Sequence, residues 1–159
     1  LNVYEVGSVA RVTTRFYFAT VLVGAISSTA TTLVVATASG FPPSGNYPIH
    51  IDAEDMLVTG GQGTTSWTVT RGTGIMSPIQ HADGSLVTTP GDPTAVTFTA
   101  IREDGTTVSG TPVRDSTGVW HSDFIIDRSG RWGGRTVGTG ALPTATRWEF
   151  FVNPQEVVP

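Results

Sequence analysis

The sequence predicts an all-β protein, and three observations predict it. No window of 11 residues keeps apolar side chains at i, i+3, i+4 and i+7, the spacing of an amphipathic helix. Short runs that alternate apolar and polar residues recur along the whole chain, as half-buried strands require. Thr and Val, whose β-branched side chains favour strands, dominate the composition, and 19 Gly and 10 Pro punctuate it often enough to turn the chain every 8–12 residues.

The elements follow in order. Ala10, Val12, Thr14, Phe16 and Phe18 fall on one face of a first strand, with Arg11, Thr13, Arg15 and Tyr17 on the other. Leu33-Val-Val35 is a short second strand. Tyr47–Asp52 and Asp55–Thr59 form a hairpin across Ala53-Glu54, and Ser66–Thr70 follows. The Gly-rich Gly60-Gly-Gln-Gly63 reads as a hairpin tip. It lacks the Lys-Ser/Thr and the helix that would turn it into a phosphate cradle. Gly72–Gly84, with three Gly and Pro78, is too broken for a strand, and loops this long in compact domains are often functional. Ser85–Thr88 ends this stretch.

After Pro93, Val96, Phe98 and Ala100 face inward, and Asp104-Gly105 supplies the positive-φ residue of a tight hairpin. Asp115-Ser-Thr-Gly118 is another turn. Beyond it Trp120, Ser122, Phe124 and Ile126 share one face, and Val119, His121, Asp123 and Ile125 the other. Ser129-Gly130 turns the chain again. Trp132 to Val137 and then Trp148, Phe150 and Val152 close the fold before Asn153-Pro154.

The overall balance narrows the function. Net charge is −4, so the counterion displacement by Lys and Arg that drives nonspecific nucleic-acid binding is not expected. No run of 18 apolar residues exists; the longest, Ala19–Ile26, is broken by Thr20 and Gly24, so no membrane span is expected. The chain begins at Leu1, and Glu5 stands where a signal peptide carries basic residues. There is no Cys, hence no disulfide and no thiolate metal site. All nine basic residues are Arg, whose planar fork suits paired contacts. Only 14% of residues are charged, against the usual quarter or so, a surface better suited to packing against neighbours than to a free enzyme.

Phe41-Pro42, Tyr47-Pro-Ile-His-Ile-Asp52, Glu54-Asp-Met56, Val58-Thr59, Trp67-Thr-Val-Thr-Arg71-Gly72, His81, Gly84 and Val87 together resemble a small all-β module that recurs in bacteriophage tail, baseplate and capsid-accessory proteins. Tyr4-x-Val-Gly7, Val9-x-Arg11-Val12, Asp115-Ser-Thr-Gly-Val119-Trp-His121-x-Asp123-Phe124 and Gly130-x-Trp132 resemble the immunoglobulin-like (Ig-like) small proteins encoded among phage structural genes. Such proteins have a short turn where this chain has residues 19–92. The resemblance implies an Ig-like β-sandwich, residues 1–18 and 93–159, with a second small β module, residues 19–92, inserted between its strands at an exposed loop. In the phage module small residues precede the His; here Ile75, Met76, Pro78 and Ile79 stand there, and exposed apolar groups mark a partner contact.

Reactive constellations are weak. His50, Asp52 and Glu54 alternate along one strand, but two-residue steps of about 7 Å are too long for three side chains to meet one ion, and no EF-hand pattern exists. Glu54, Asp55, Glu103 and Asp104 each sit beside a turn, where acids cap or meet water, rather than as a hydrolytic pair. His121, Ser122 and Asp123 are consecutive, so alternation sends Ser122 away from the other two, and His121 with Asp123 reads as a surface pair. His81 is expected to hold its loop by hydrogen bonds. Arg128, Arg131 and Arg135 flank Trp132, which favours Arg packed over Trp above stacking on single-stranded nucleic acid.

The expected function is therefore that of a non-enzymatic phage virion protein. It would be an accessory or decoration component of the capsid or of the head–tail or tail assembly, located in the virion, which is assembled in the bacterial host cytoplasm. No cofactor or metal is expected. The partners would be capsid, connector or tail subunits in symmetric copies, met through Arg71, Ile75, Met76, Ile79, Arg131 and Trp132. The alternative is a carbohydrate-binding module for host surfaces, in which Trp67, Trp120, Trp132 or Trp148 stack on sugar rings.

Overall fold

The computed structural model describes residues 3–140 and 142–153. Among them the chain is all-β, with no helix. The strands are β1 (Val3–Glu5), β2 (Val9–Arg15), β3 (Tyr17–Val21), β4 (Thr32–Val34), β5 (Tyr47–Ile51), β6 (Glu54–Gly60) and β7 (Ser66–Thr70). They continue with β8 (Leu86–Pro90), β9 (Ala95–Arg102), β10 (Thr107–Gly110), β11 (Val113–Ser116), β12 (Val119–Ile125), β13 (Gly130–Thr139) and β14 (Thr144–Asn153). The chain divides into two compact units, Tyr17–Gly91 and the residues on either side of it, up to Phe16 and from Asp92. β14 ends at Asn153, and residues 154–159 of the expected sandwich lie outside the described residues.

In the Tyr17–Gly91 unit six strands make one antiparallel sheet in the order β3-β8-β5-β6-β7-β4. Its two outer strands then meet. Leu22 bridges Val35, the Val23 N–H donates to the Val34 carbonyl at 2.8 Å, and the Ala36 N–H donates to the Val21 carbonyl at 2.9 Å. The sheet thus closes on itself as a small barrel, which removes the unpaired edges that invite aggregation. Alternation fills the interior: Ile49, Ile51, Met56, Val58, Trp67, Val69 and Val87 point inward with Leu22, Leu33, Phe41 and Tyr47. Burial pushes the Tyr47 hydroxyl up to about 12.

The other unit has a five-stranded sheet, β1-β14-β13-β9-β10, and a three-stranded sheet, β11-β12-β2. β1 runs parallel to β14, and every other pairing is antiparallel. One core joins both sheets: Ala10 and Phe124 from the three-stranded sheet, Phe98, Ala100, Trp132, Phe150 and Val152 from the five-stranded one, closed by Phe16 and Ile126. Two sheets sharing one apolar layer make a β-sandwich. Trp132 stacks on Phe150 with centroids 6.1 Å apart, and Phe150 on Trp148 at 5.8 Å.

Three expectations shift. The run Ala10–Phe18 is two strands rather than one, because Phe16 closes the sandwich core while Phe18 packs against the barrel core. The unit boundary therefore lies between Phe16 and Tyr17. The hairpin expected to turn at Ala53-Glu54 turns at Asp52-Ala53, since Asp52 adopts φ +53°, a conformation Asp tolerates better than most residues.

Candidate functional site

The one-residue move of that hairpin decides the site. It places Glu54 at the first position of β6, on the inward face shared with Met56 and Val58, and the side chain is fully buried. The reading of Glu54 as a solvated turn acid is therefore corrected. A buried carboxylate is tolerated only when paired and hydrogen-bonded. β7 supplies the partner: Trp67 and Val69 point inward, and Arg71, two residues on, follows them.

The Arg71 fork grips both oxygens of Glu54, Nε to Oε1 at 2.8 Å and a terminal nitrogen to Oε2 at 2.7 Å. Three more donors complete the carboxylate: the Gly72 N–H at 3.1 Å, the Ile79 N–H at 3.0 Å and His81 Nε2 at 3.1 Å. Burial alone would raise the Glu54 pKa, but Arg71, the two backbone N–H groups and His81 outweigh it and hold it at about 2. The other ring nitrogen of His81 faces Asp52 Oδ2 at 2.7 Å, and that oxygen also accepts from Ser85. The backbone of His81 exchanges two hydrogen bonds with Ile26. Arg71 also donates to the carbonyls of Ser27, Ala30 and Ile79. His81 thus holds its loop from inside the barrel, with both ring nitrogens engaged.

The consequence is a clamped loop. Gly72 and Ile79, at its two ends, donate to the same buried carboxylate, and the Thr73 N–H donates to the Asp55 carbonyl at 3.0 Å. Gly74 lies against the Asp55 carboxylate, closer than any Cβ would allow. Between these anchors the tip is apolar and solvent-facing: Ile75 is fully exposed, Met76 47% and Ile79 38% exposed. Both oxygens of Glu54 are committed to hydrogen bonds that hold the two ends of this loop.

The contact residues expected from sequence separate. Ile75, Met76 and Ile79 all lie exposed on this loop. Arg71 is not a surface fork; its side chain is only 6% exposed and serves as the clamp. Trp132 is buried completely because alternation along β13 points it into the sandwich core, where the Arg102 guanidinium lies 5.3 Å from its ring. Arg131 is exposed and pairs with Glu149. His121 does not pair with Asp123. A register shift in β11 between Arg114 and Ser116 leaves Asp115 outside the ladder, where it meets His121 Nδ1 at 2.8 Å, while Asp123 takes the Arg11 fork. Trp67 and Trp132 are buried, and Trp120 and Trp148 are half-buried.

Sequence reasoning missed Glu54 and Arg71 as a pair. The available signal was that each continues an inward-facing alternation, 54-56-58 and 67-69-71, so that an acid and a base both had to enter one core. Comparison of the chain with protein-family models, with curated proteins and with solved structures finds no match in any of the three.

Proposed function

We propose that this chain is a non-enzymatic structural protein of a bacteriophage virion, which docks on other virion proteins through the apolar tip of the 72–80 loop. The observation that carries the reading is the combination of an exposed Ile75, Met76 and Ile79 with a root clamped by the buried Glu54–Arg71 pair. Ordering a loop on binding costs roughly 0.5–1.5 kcal/mol for each side chain immobilised, and a loop held beforehand avoids much of that loss. Symmetric copies on a particle multiply such small contacts into stable attachment.

The Ig-like reading of the sandwich is supported by its strand order. β2-β12-β11 in one sheet, β14-β13-β9 in the other, β10 beyond β9 and β1 parallel to β14 follow the order of Ig-like sheets, with the Tyr17–Gly91 unit lying in sequence between β2 and β9. The phage assignment rests on the motif resemblance over 47–72 and 115–152.

The test is incorporation. Particles are purified from cells making either the wild-type chain or Ile75→Asp/Met76→Asp, and the chain is quantified by immunoblot. The wild type co-purifies with particles, and the double variant keeps its circular dichroism spectrum but is depleted at least about tenfold, as loss of a hot spot predicts. Full incorporation of the variant would remove the loop from the mechanism, and absence of the wild type from particles would remove the virion reading itself.

A further inference from the structure

A second surface, on the sandwich and independent of the 72–80 loop, carries its own signal. Six of the nine Arg side chains are paired with acids: Arg11 with Asp123, Arg71 with Glu54, Arg102 with Asp127, Arg114 with Asp92, Arg128 with Asp104 and Arg131 with Glu149. Arg135 and Arg147 have no acidic partner among the described residues, and both are exposed. They are also direct cross-strand neighbours, Arg135 on β13 and Arg147 on β14, so two cationic side chains leave paired positions on one sheet face. Like charges placed directly opposite destabilise a sheet. In a chain of net charge −4, acids to relieve them are not scarce.

Next to this pair the sheet has a hole. Gly133 shares the outward face with Arg135 and lies between Glu149 on β14 and Ile101 on β9. Its neighbour Gly134 is required by packing, because a Cβ there would strike the Trp148 ring at 2.4 Å and the Thr99 carbonyl at 2.3 Å. Gly133 is not: a Cβ there would meet nothing nearer than the Trp148 carbonyl at 3.7 Å, and the ladder runs through it without a bulge. A glycine inside a strand weakens it, and one the fold does not need marks a place where another group approaches the backbone. The result is an open depression of about 620 Å³ lined by Ile101, Arg135, Arg147 and Trp148, and by Glu149, whose carboxylate is already engaged by Arg131.

We infer that this depression is a docking site for an Asp or Glu side chain of a partner protein segment that carries an apolar residue beside the acid. The two Arg forks supply paired N–H donors to a carboxylate, Gly133 lets the segment approach the sheet, and Ile101, 38% exposed, meets the apolar neighbour. Glu149, in the wall of the depression and paired with Arg131, limits the anionic charge the site accepts, which favours a single carboxylate over the continuous phosphates of a nucleic acid.

The experiment is an NMR titration of the full chain with the peptide acetyl-Leu-Glu-Leu-amide, its Gln counterpart, inorganic phosphate and a dT oligonucleotide. The readouts are the Arg Nε–H resonances and the Gly133 amide. The Glu peptide produces saturable shifts at Arg135, Arg147 and Gly133, and the Gln peptide does not. Arg135→Gln weakens the response about tenfold, the loss expected for one charge-assisted bond. Gly133→Val, whose Cβ has room, keeps the wild-type spectrum elsewhere and loses the response. Equal shifts with both peptides, no saturation with the Glu peptide, unchanged binding by Gly133→Val, or tighter binding of phosphate or oligonucleotide than of the Glu peptide would each overturn the assignment.

Discussion

Among single residues Glu54 is the anchor of the clamped loop. Its carboxyl ordinarily titrates near 4.5 and is held at about 2 in the fold, so the folded protein keeps it ionised where the unfolded chain begins to take up protons. A depressed carboxylate adds stability that is fully present above its unfolded value and is lost as pH falls through the folded one. The window is therefore pH 4.5 down to 2, and the shift corresponds to roughly 3 kcal/mol. Glu54→Gln leaves Arg71 buried without its counter-charge and is expected to lower stability by about 3–5 kcal/mol at neutral pH. In denaturant titrations, the gap between wild type and Glu54→Gln should narrow as pH drops from 4.5 to 2. A gap that stays constant across that range would mean the carboxylate is not the titrating anchor.

At the scale of the strand and the sheet, most of the fold was legible. Alternation located the inward faces of Ala10–Phe16, Ala95–Arg102 and Val119–Ile126, because period-two burial is a local property of sequence. Barrel closure was not legible: the Leu22–Val35 bridge depends on how much twist six strands accumulate, which no short window encodes. The fate of Glu54 was half legible, since alternation pointed it inward but the preference of acids for turns pointed it out. Tertiary pairing with Arg71 decided between them. The glycine of the sandwich face gives a prediction at this scale. Gly133→Ala has room for its Cβ and removes the entropic penalty of a strand glycine, so it should stabilise the protein by about 0.5–1 kcal/mol in denaturant unfolding. A loss of stability would mean that the fold itself needs the glycine, and the case for a docking depression would weaken with it.

At the scale of the whole molecule, a barrel and a sandwich each complete a core, and the chain passes from one to the other between Phe16 and Tyr17. The resemblance implied the inserted stretch but not its edge, because the same alternating face serves one core through Phe16 and the other through Phe18. The apolar loop tip was visible in the sequence as Ile75, Met76 and Ile79 in a stretch that cannot be a strand. What held it was not, since the clamp joins residues 52, 54, 71 and 81, which only the barrel brings together. Docking through that tip is most directly tested by a cryo-EM reconstruction of the purified particle. The expected result is density for this chain with Ile75 and Met76 seated in a groove of a neighbouring subunit; a particle that lacks the chain, or that carries it with the 72–80 loop facing solvent, would contradict docking through the tip.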